Sequence, residues 1–241
     1  MSRLIVTIDG PAGTGKSSAS ARLAERIGCE MLDTGAMYRA AALLSIEQGI
    51  DPTSGQDMCG ALAVSPVTID WTVRPAAVRL GGRDVSQRIR QPDVTDVVSA
   101  VAANSAVRAH MVRLQRAAGD AHPRLVSEGR DQGTVVFPDA DVRIWLDARS
   151  NVRARRRCAE LRSRGIAADE ASVLAQIERR DDRDRTRSDG PLVMPEGAVV
   201  VDTSELTFDE VVDALERAVR DRVAIDTRSG AAARRAGTAS P

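Results

Sequence analysis

The sequence predicts an α/β fold, a parallel five-stranded sheet flanked by helices, and three observations carry that prediction. A glycine-rich loop stands between an apolar run and a helical segment near the start of the chain. Further short apolar runs recur between stretches of helical spacing, as in folds with a parallel sheet. One segment of strict apolar–polar alternation interrupts this pattern and marks a small antiparallel sheet inserted into the fold.

The loop is Gly10-Pro11-Ala12-Gly13-Thr14-Gly15-Lys16-Ser17, which fits GxxxxGK[ST]. Leu4-Ile5-Val6-Thr7-Ile8 before it reads as a strand, and Ser18 to Ile27 after it as a helix that Gly28 ends. Strand, loop and helix in this order are the context a phosphate-binding loop requires. Glycines let successive N–H groups face one anion, and the helix N-terminus adds partial positive charge. Residues Gly10, Pro11, Ala12, Gly13, Thr14, Gly15, Lys16, Ser17 and Ser18 are therefore predicted to hold ATP. Lys16 reaches the β- and γ-phosphates, and the Ser17 hydroxyl helps hold Mg2+. Lys16 is the one lysine of the chain; the other basic residues are arginines.

Cys29 to Asp33 reads as a second strand, and Asp33-Thr34-Gly35 opens a helix through Leu44 with Gly49 beyond its end. Val67-Thr68-Ile69-Asp70-Trp71-Thr72-Val73 alternates and predicts a half-buried antiparallel strand. Val78-Arg79-Leu80 and Asp84-Val85-Ser86 flank Gly81-Gly82, a hairpin signal. The antiparallel insert is placed at about residues 63–90. Val97, Val101, Val107, Met111 and Leu114 mark helical spacing over 95–116, which Asn104-Ser105 divides in two. Leu125-Val126-Ser127 is a core strand leading into Glu128-Gly129-Arg130-Asp131. Ligands gather at the carboxyl ends of such strands. Val142 to Asp147 is the next strand, with Asp147 read as a cap for the following helix in preference to a Mg2+ ligand.

Residues 153–187 are dense in arginine, with a helix to Gly165 and another from about Asp169. Most of Arg153, Arg155, Arg156, Arg157, Arg162 and Arg164 are read as a solvated helix face, with one or two reaching ATP phosphates. Ala198 to Asp202 is the last core strand, and Thr207-x-x-Glu210 is a capping box for a final helix to about Arg222. The organisation expected is a single domain over 1–222, with an acceptor-binding lobe at about 35–100 and a lid at about 150–187. Residues 223–241 lack apolar periodicity and are expected to form a disordered tail.

Composition narrows the function. The formal net charge is zero, so no overall field steers the chain to nucleic acid or to a membrane. Two Trp, one Tyr and two Phe are too few for a platform that stacks bases. Three scattered cysteines fit reduced thiols in a cytoplasmic protein, and two histidines cannot build a histidine metal cluster. Neither a signal peptide nor a membrane-spanning run is found, and a monomer is expected. A single lysine excludes the guanine-reading NKxD pattern of GTPases and the separate strand lysine of protein kinases. Arginine recognises phosphate by planar, two-pronged donation. Arg39, Arg130, Arg180 and Arg187 therefore point to a small-molecule kinase.

The motifs together carry a resemblance. Ile8-Asp9-Gly10-Pro11 through Lys16-Ser17, Leu32 through Arg39, Val107-Arg108 with Gln115-Arg116, Gly129 through Ala140, and Arg180 through Arg185 with Pro191-Leu192 occur in order. Over about residues 3–222 the chain resembles bacterial cytidylate (CMP/dCMP) kinases, P-loop nucleoside-monophosphate kinases. The resemblance implies ATP-dependent phosphorylation of CMP and dCMP by in-line transfer. The alternative is another small-molecule kinase of this fold, with UMP, AMP or shikimate as acceptor. Lys16, Arg130, Arg180 and Arg187 would be catalytic. Thr34 and Arg39 would meet the acceptor's α-phosphate side, and Ser99, Arg108 and Asp131 the cytosine edge. Arg130 and Arg187 would hold the acceptor phosphate, and Arg180 and Asp184 the sugar hydroxyls. The chain departs from the family's pattern at Thr34, where serine is common, at Gln132, where an apolar residue is usual, and at Asn104-Ser105.

Overall fold

A computed structural model describes residues 3–163 and 165–236, with side chains as far as Val223. In chain order the strands are β1 (Leu4–Asp9), β2 (Glu30–Asp33), β3 (Val67–Asp70), β4 (Ala77–Leu80), β5 (Arg83–Asp84), β6 (Arg124–Gly129), β7 (Val142–Asp147) and β8 (Val199–Asp202). The helices are α1 (Lys16–Ile27), α2 (Thr34–Gln48), α3 (Gly55–Val64), α4 (Pro92–Ala103), α5 (Ser105–Ala121), α6 (Ser150–Ser163), α7 (Glu170–Thr186) and α8 (Phe208–Ala236). Five strands form one sheet in the order β2-β6-β1-β7-β8, with every neighbouring pair parallel. β3, β4 and β5 form the separate antiparallel sheet.

Burial of β1 on both faces explains its unbroken apolar run. Leu4, Val6 and Ile8 pack with α1 and α8 residues such as Leu23, Leu215 and Val219. Ile5 points the other way, into a larger core with Leu32, Met37, Leu62 and Met111 from β2, α2, α3 and α5. The α6–α7 hairpin has its own small core of Ala154, Cys158, Val173 and Ile177. Pairing aligns Asp33 with Glu128 and Asp9 with Gly129, so the carboxyl ends of β2, β6 and β1 lie side by side.

Several boundaries differ from expectation. The alternating strand stops at Asp70, not Val73. The Asp70 carboxylate accepts from the backbone N–H and the hydroxyl of Thr72, which turns the chain. Helix α3 is absent from the sequence reading; it is short, and Ser54 caps it by accepting from the Asp57 N–H. A π-helical turn over Gln132–Val136 is also unforeseen. The last helix passes the expected end at Arg222 and runs to Ala236, so the expected tail is helical up to that residue. Alanine and arginine favour helix even where no apolar stripe recurs. Residues 237–241 of that tail lie outside the described residues.

Candidate active site

The phosphate-binding loop leaves β1 and enters α1 through three glycines with positive φ, at 149° for Gly10, 79° for Gly13 and 89° for Gly15. A Cβ at Gly10 would collide with the Leu146 carbonyl of β7. Gly13, Gly15 and Ser18 are exposed along the loop, whereas Ala12, Thr14 and Lys16 are buried. Lys16 Nζ folds back to donate to the Pro11 carbonyl at 2.6 Å and lies 3.4 Å from Thr14 Oγ1. Burial lowers the Lys16 pKa, and the Arg130 and Arg180 cations lower it further.

Sequence reasoning assigned no role to Glu128 at the end of β6. Ser17 Oγ donates to Glu128 Oε1 at 2.6 Å. Glu128 is raised above the carboxylate range by burial and then by Asp33, which caps α2. Ser17 and Glu128 thus set a hydroxyl and a carboxylate beside the phosphate loop, a donor pair of the hard oxygen type that Mg2+ takes. Among the described residues, no group of three or more His, Cys, Asp or Glu side chains is placed to hold a metal. The signal for Glu128 was its place at a strand end next to the loop strand. Asp147, the rejected alternative, accepts from the adjacent Ala148 N–H instead of capping a helix through the N–H of a later residue.

Arginines converge above these strand ends. Arg130 Nε lies 3.0 Å from Asp184 Oδ2 on α7. Burial pulls Arg130 down, but Asp184 and Glu128 outweigh it and leave the guanidinium above its ordinary value. Arg180 is lowered to about 10 by burial and by Arg130. Its Nε is buried without a partner, as is Nη2 of Arg187. Arg187 Nε donates to the Gly190 carbonyl at 2.6 Å, and its Nη2 stands 3.9 Å from Asp131 Oδ1. Buried donors without hydrogen bonds beside like charges are what an anion would satisfy.

A buried charge pair adjoins. Arg108 from α5 and Asp131 form a buried ion pair, with the Tyr38 ring 5.7 Å beneath the Arg108 guanidinium. Gly190, at φ 56°, closes over this pair. Gln132, one of the expected departures, accepts from Ser127 Oγ at 2.8 Å and reaches Gln115 and Asp131 at 3.4 Å. Arg39 donates to the Ile89 carbonyl and to Thr95 Oγ1, which ties α2 to α4. Two expected residues are placed less directly. The Thr34 hydroxyl donates to the Glu128 carbonyl at 2.7 Å, which commits its proton and leaves only its lone pairs. Ser99 is half-buried on α4 and makes no hydrogen bond to Arg108 or Asp131.

The arginine-rich hairpin departs from the expected solvated face at three positions. Arg153 is buried, and Arg156 and Arg157 are half-buried. Arg156 donates to the carbonyl and hydroxyl of Thr203, and Arg153 reaches the loop backbone at Ala12.

Comparison with known proteins gives a consistent result. The family model for cytidylate kinase matches residues 6–221. A cytidylate kinase of Nocardia farcinica is 48% identical over 91% of this chain and 95% of its own length. One of Rhodococcus jostii is 46% identical over 92% and 96%. A bifunctional pantoate ligase/cytidylate kinase of Synechococcus is 44% identical over 91% of this chain but 46% of its own length.

Proposed function

Because the chain belongs to the cytidylate kinase family, we propose that it transfers the γ-phosphoryl group of ATP to CMP and dCMP. The observation that supports this best is the pair of buried guanidinium donors that make no hydrogen bond, Arg180 Nε and Arg187 Nη2. Phosphoryl transfer asks for positioning and charge neutralisation more than for proton chemistry. Lys16 exchanges its bond to the Pro11 carbonyl for the β- and γ-phosphate oxygens. Arg130, Arg180 and Arg187 neutralise the transferred group and the acceptor phosphate. That phosphate is already ionised, so no general base is required. Ser17, with Glu128 behind it, would hold Mg2+, whose charge offsets that of the phosphate oxygens. Arg108 and Asp131 read the cytosine edge, since a carboxylate accepts from its amino group and a guanidinium donates to O2 and N3. Thr34 and Arg39 stand on the acceptor's phosphate side, Ser99 beside the base, and Asp184 at the sugar. Helices α6 and α7 act as a lid that excludes water, a competing acceptor. The enzyme works in the cytoplasm as a monomer.

The test is ADP release with CMP, dCMP, UMP, AMP and shikimate as acceptors. CMP and dCMP should give the highest kcat/KM. Preference for another acceptor, or ATP binding without turnover, would overturn the proposal. Asp131→Ala and Arg108→Ala should each lower kcat/KM for CMP by roughly 2–4 kcal/mol, with little change in the KM for ATP. Equal damage to both substrates would remove these residues from the base site.

A further inference from the structure

The backbone of Ala12, in the middle of the phosphate loop, is held through both its N–H and its C=O by the α6–α7 hairpin. Asp181 Oδ1 on α7 accepts from the Ala12 N–H at 3.1 Å. Arg153 Nη1 on α6 donates to the Ala12 carbonyl at 3.0 Å and to Asp181 Oδ2 at 2.5 Å. Arg153 Nε donates to the Ala148 carbonyl at 2.9 Å, which anchors the pair to the end of β7. Asp181 is 2% exposed and Arg153 5%. A Cβ at Gly13 would stand 3.4 Å from Arg153 Cβ and 3.9 Å from Ile177 Cδ1, so both helices lie directly against the loop.

We propose that Asp181 and Arg153 form a latch that makes the phosphate loop respond to occupancy of the acceptor site. The proposal rests on the acceptor reading above. Helix α7 carries the Asp181 half of the latch and acceptor-facing groups within one turn: Arg180 precedes Asp181, and Asp184 follows on the Arg130 ion pair. The hairpin's own core holds α6 and α7 to each other. Anything that draws Arg180 and Arg187 toward an acceptor phosphate, and Asp184 toward its sugar, moves Asp181 with them, and Asp181 acts on Ala12. The loop has freedom to follow, since glycines flank this stretch at positions 10 and 13. Coupling of this kind is reciprocal, so ATP must favour acceptor binding by the same factor. Asp181 and Arg153 are thus positioning residues. They touch the loop backbone and act on ATP through it.

Hydrogen exchange on the unmodified protein gives the first test. CMP alone, at saturation, should change exchange of the Ala12 amide several-fold; an unchanged rate overturns the latch. Calorimetry with a non-hydrolysable ATP analogue and Mg2+, with and without CMP, gives the second. Asp181→Asn should weaken analogue binding roughly tenfold or more, since it breaks a charged hydrogen-bonded pair, and the effect of CMP should disappear. Should Asp181→Asn not fold, the double variant Asp181→Leu with Arg153→Met removes both buried charges together and should lose the same coupling. A pair that only stabilises the fold would lower the melting temperature and leave the CMP effect intact, which overturns the proposal. If the unmodified protein neither phosphorylates nor responds to CMP, the acceptor reading fails. The latch is then judged on analogue affinity alone, and wild-type affinity in Asp181→Asn sinks it.

Discussion

Gly190 carries a constraint that no single motif announces. Its φ is 56°, and a Cβ there would strike the guanidinium of Arg108 and the carboxylate of Asp131. An L side chain in the left-handed region costs roughly 1–2 kcal/mol before any collision is counted. Gly190→Ala should therefore lower kcat/KM for CMP at least tenfold while the KM for ATP stays near wild type. Steady-state kinetics with each substrate varied in turn decides this, and a rise in the ATP KM alone would contradict it. Asp9 is a different case, since its acid function lies in the fold. It accepts from the backbone N–H groups of Gln132 and Gly133, both at 2.8 Å, and fixes the π-helical turn against β1. Burial pushes its pKa up to about 6, with the two N–H groups opposing. The folded chain then holds the proton more tightly than the unfolded chain. The stabilisation is full below about pH 4 and is lost as pH rises through about 6. Asp9→Asn cannot titrate, so wild-type stability minus variant stability should fall by up to about 3 kcal/mol between pH 4 and pH 7. Urea unfolding at both pH values measures the difference, and a flat difference would show that Asp9 is not the titrating group.

At the scale of elements, the sequence was readable where one cue decides one structure. The glycine loop, the apolar run before it and the capping residues Asp33, Asn104 and Asp169 each mark a boundary that the structure keeps. Helix α3 was hidden because ten residues with a buried face of Met58, Ala61 and Leu62 give too few turns for periodicity to show. The length of β3 was overread because alternation says nothing of a carboxylate that bonds two residues ahead. In the site, residues at strand ends were legible, but the environment of a helix-face arginine was not. Arg153 looks like its solvated neighbours until α7 brings Asp181 beside it, 28 positions on. Burial of that kind is a tertiary fact. Helix α8 supports a prediction on the same ground. Among the described side chains its packing into the core ends near Val219, and the sequence beyond Val223 offers no apolar stripe. Truncation after Val223 should leave activity and melting temperature nearly unchanged. A loss of many degrees in a thermal melt would show that the tail docks on the domain.

Across the whole molecule, one ε-amine serves 241 residues, and it sits at the centre of the proposed phosphate site. The other basic side chains are guanidinium groups, which stay protonated and resist amine-directed reagents. Reductive methylation can therefore modify only Lys16 and the α-amino group, and the chain reports on its own mechanism without a substitution. Burial and the neighbouring Arg130 and Arg180 lower the Lys16 pKa, which raises the fraction of free amine. The bond to the Pro11 carbonyl and the buried setting slow access to it. Methylation keeps the charge but adds bulk and removes donors where the phosphates bind. Activity should fall in step with modification of one lysine per chain, counted by peptide mass. MgATP should protect, because it occupies the same donors. CMP should protect less, since its contacts are with the arginines and not with the amine. Full ε-methylation with turnover intact would remove Lys16 from the mechanism and with it the reading of this loop as the ATP phosphate site.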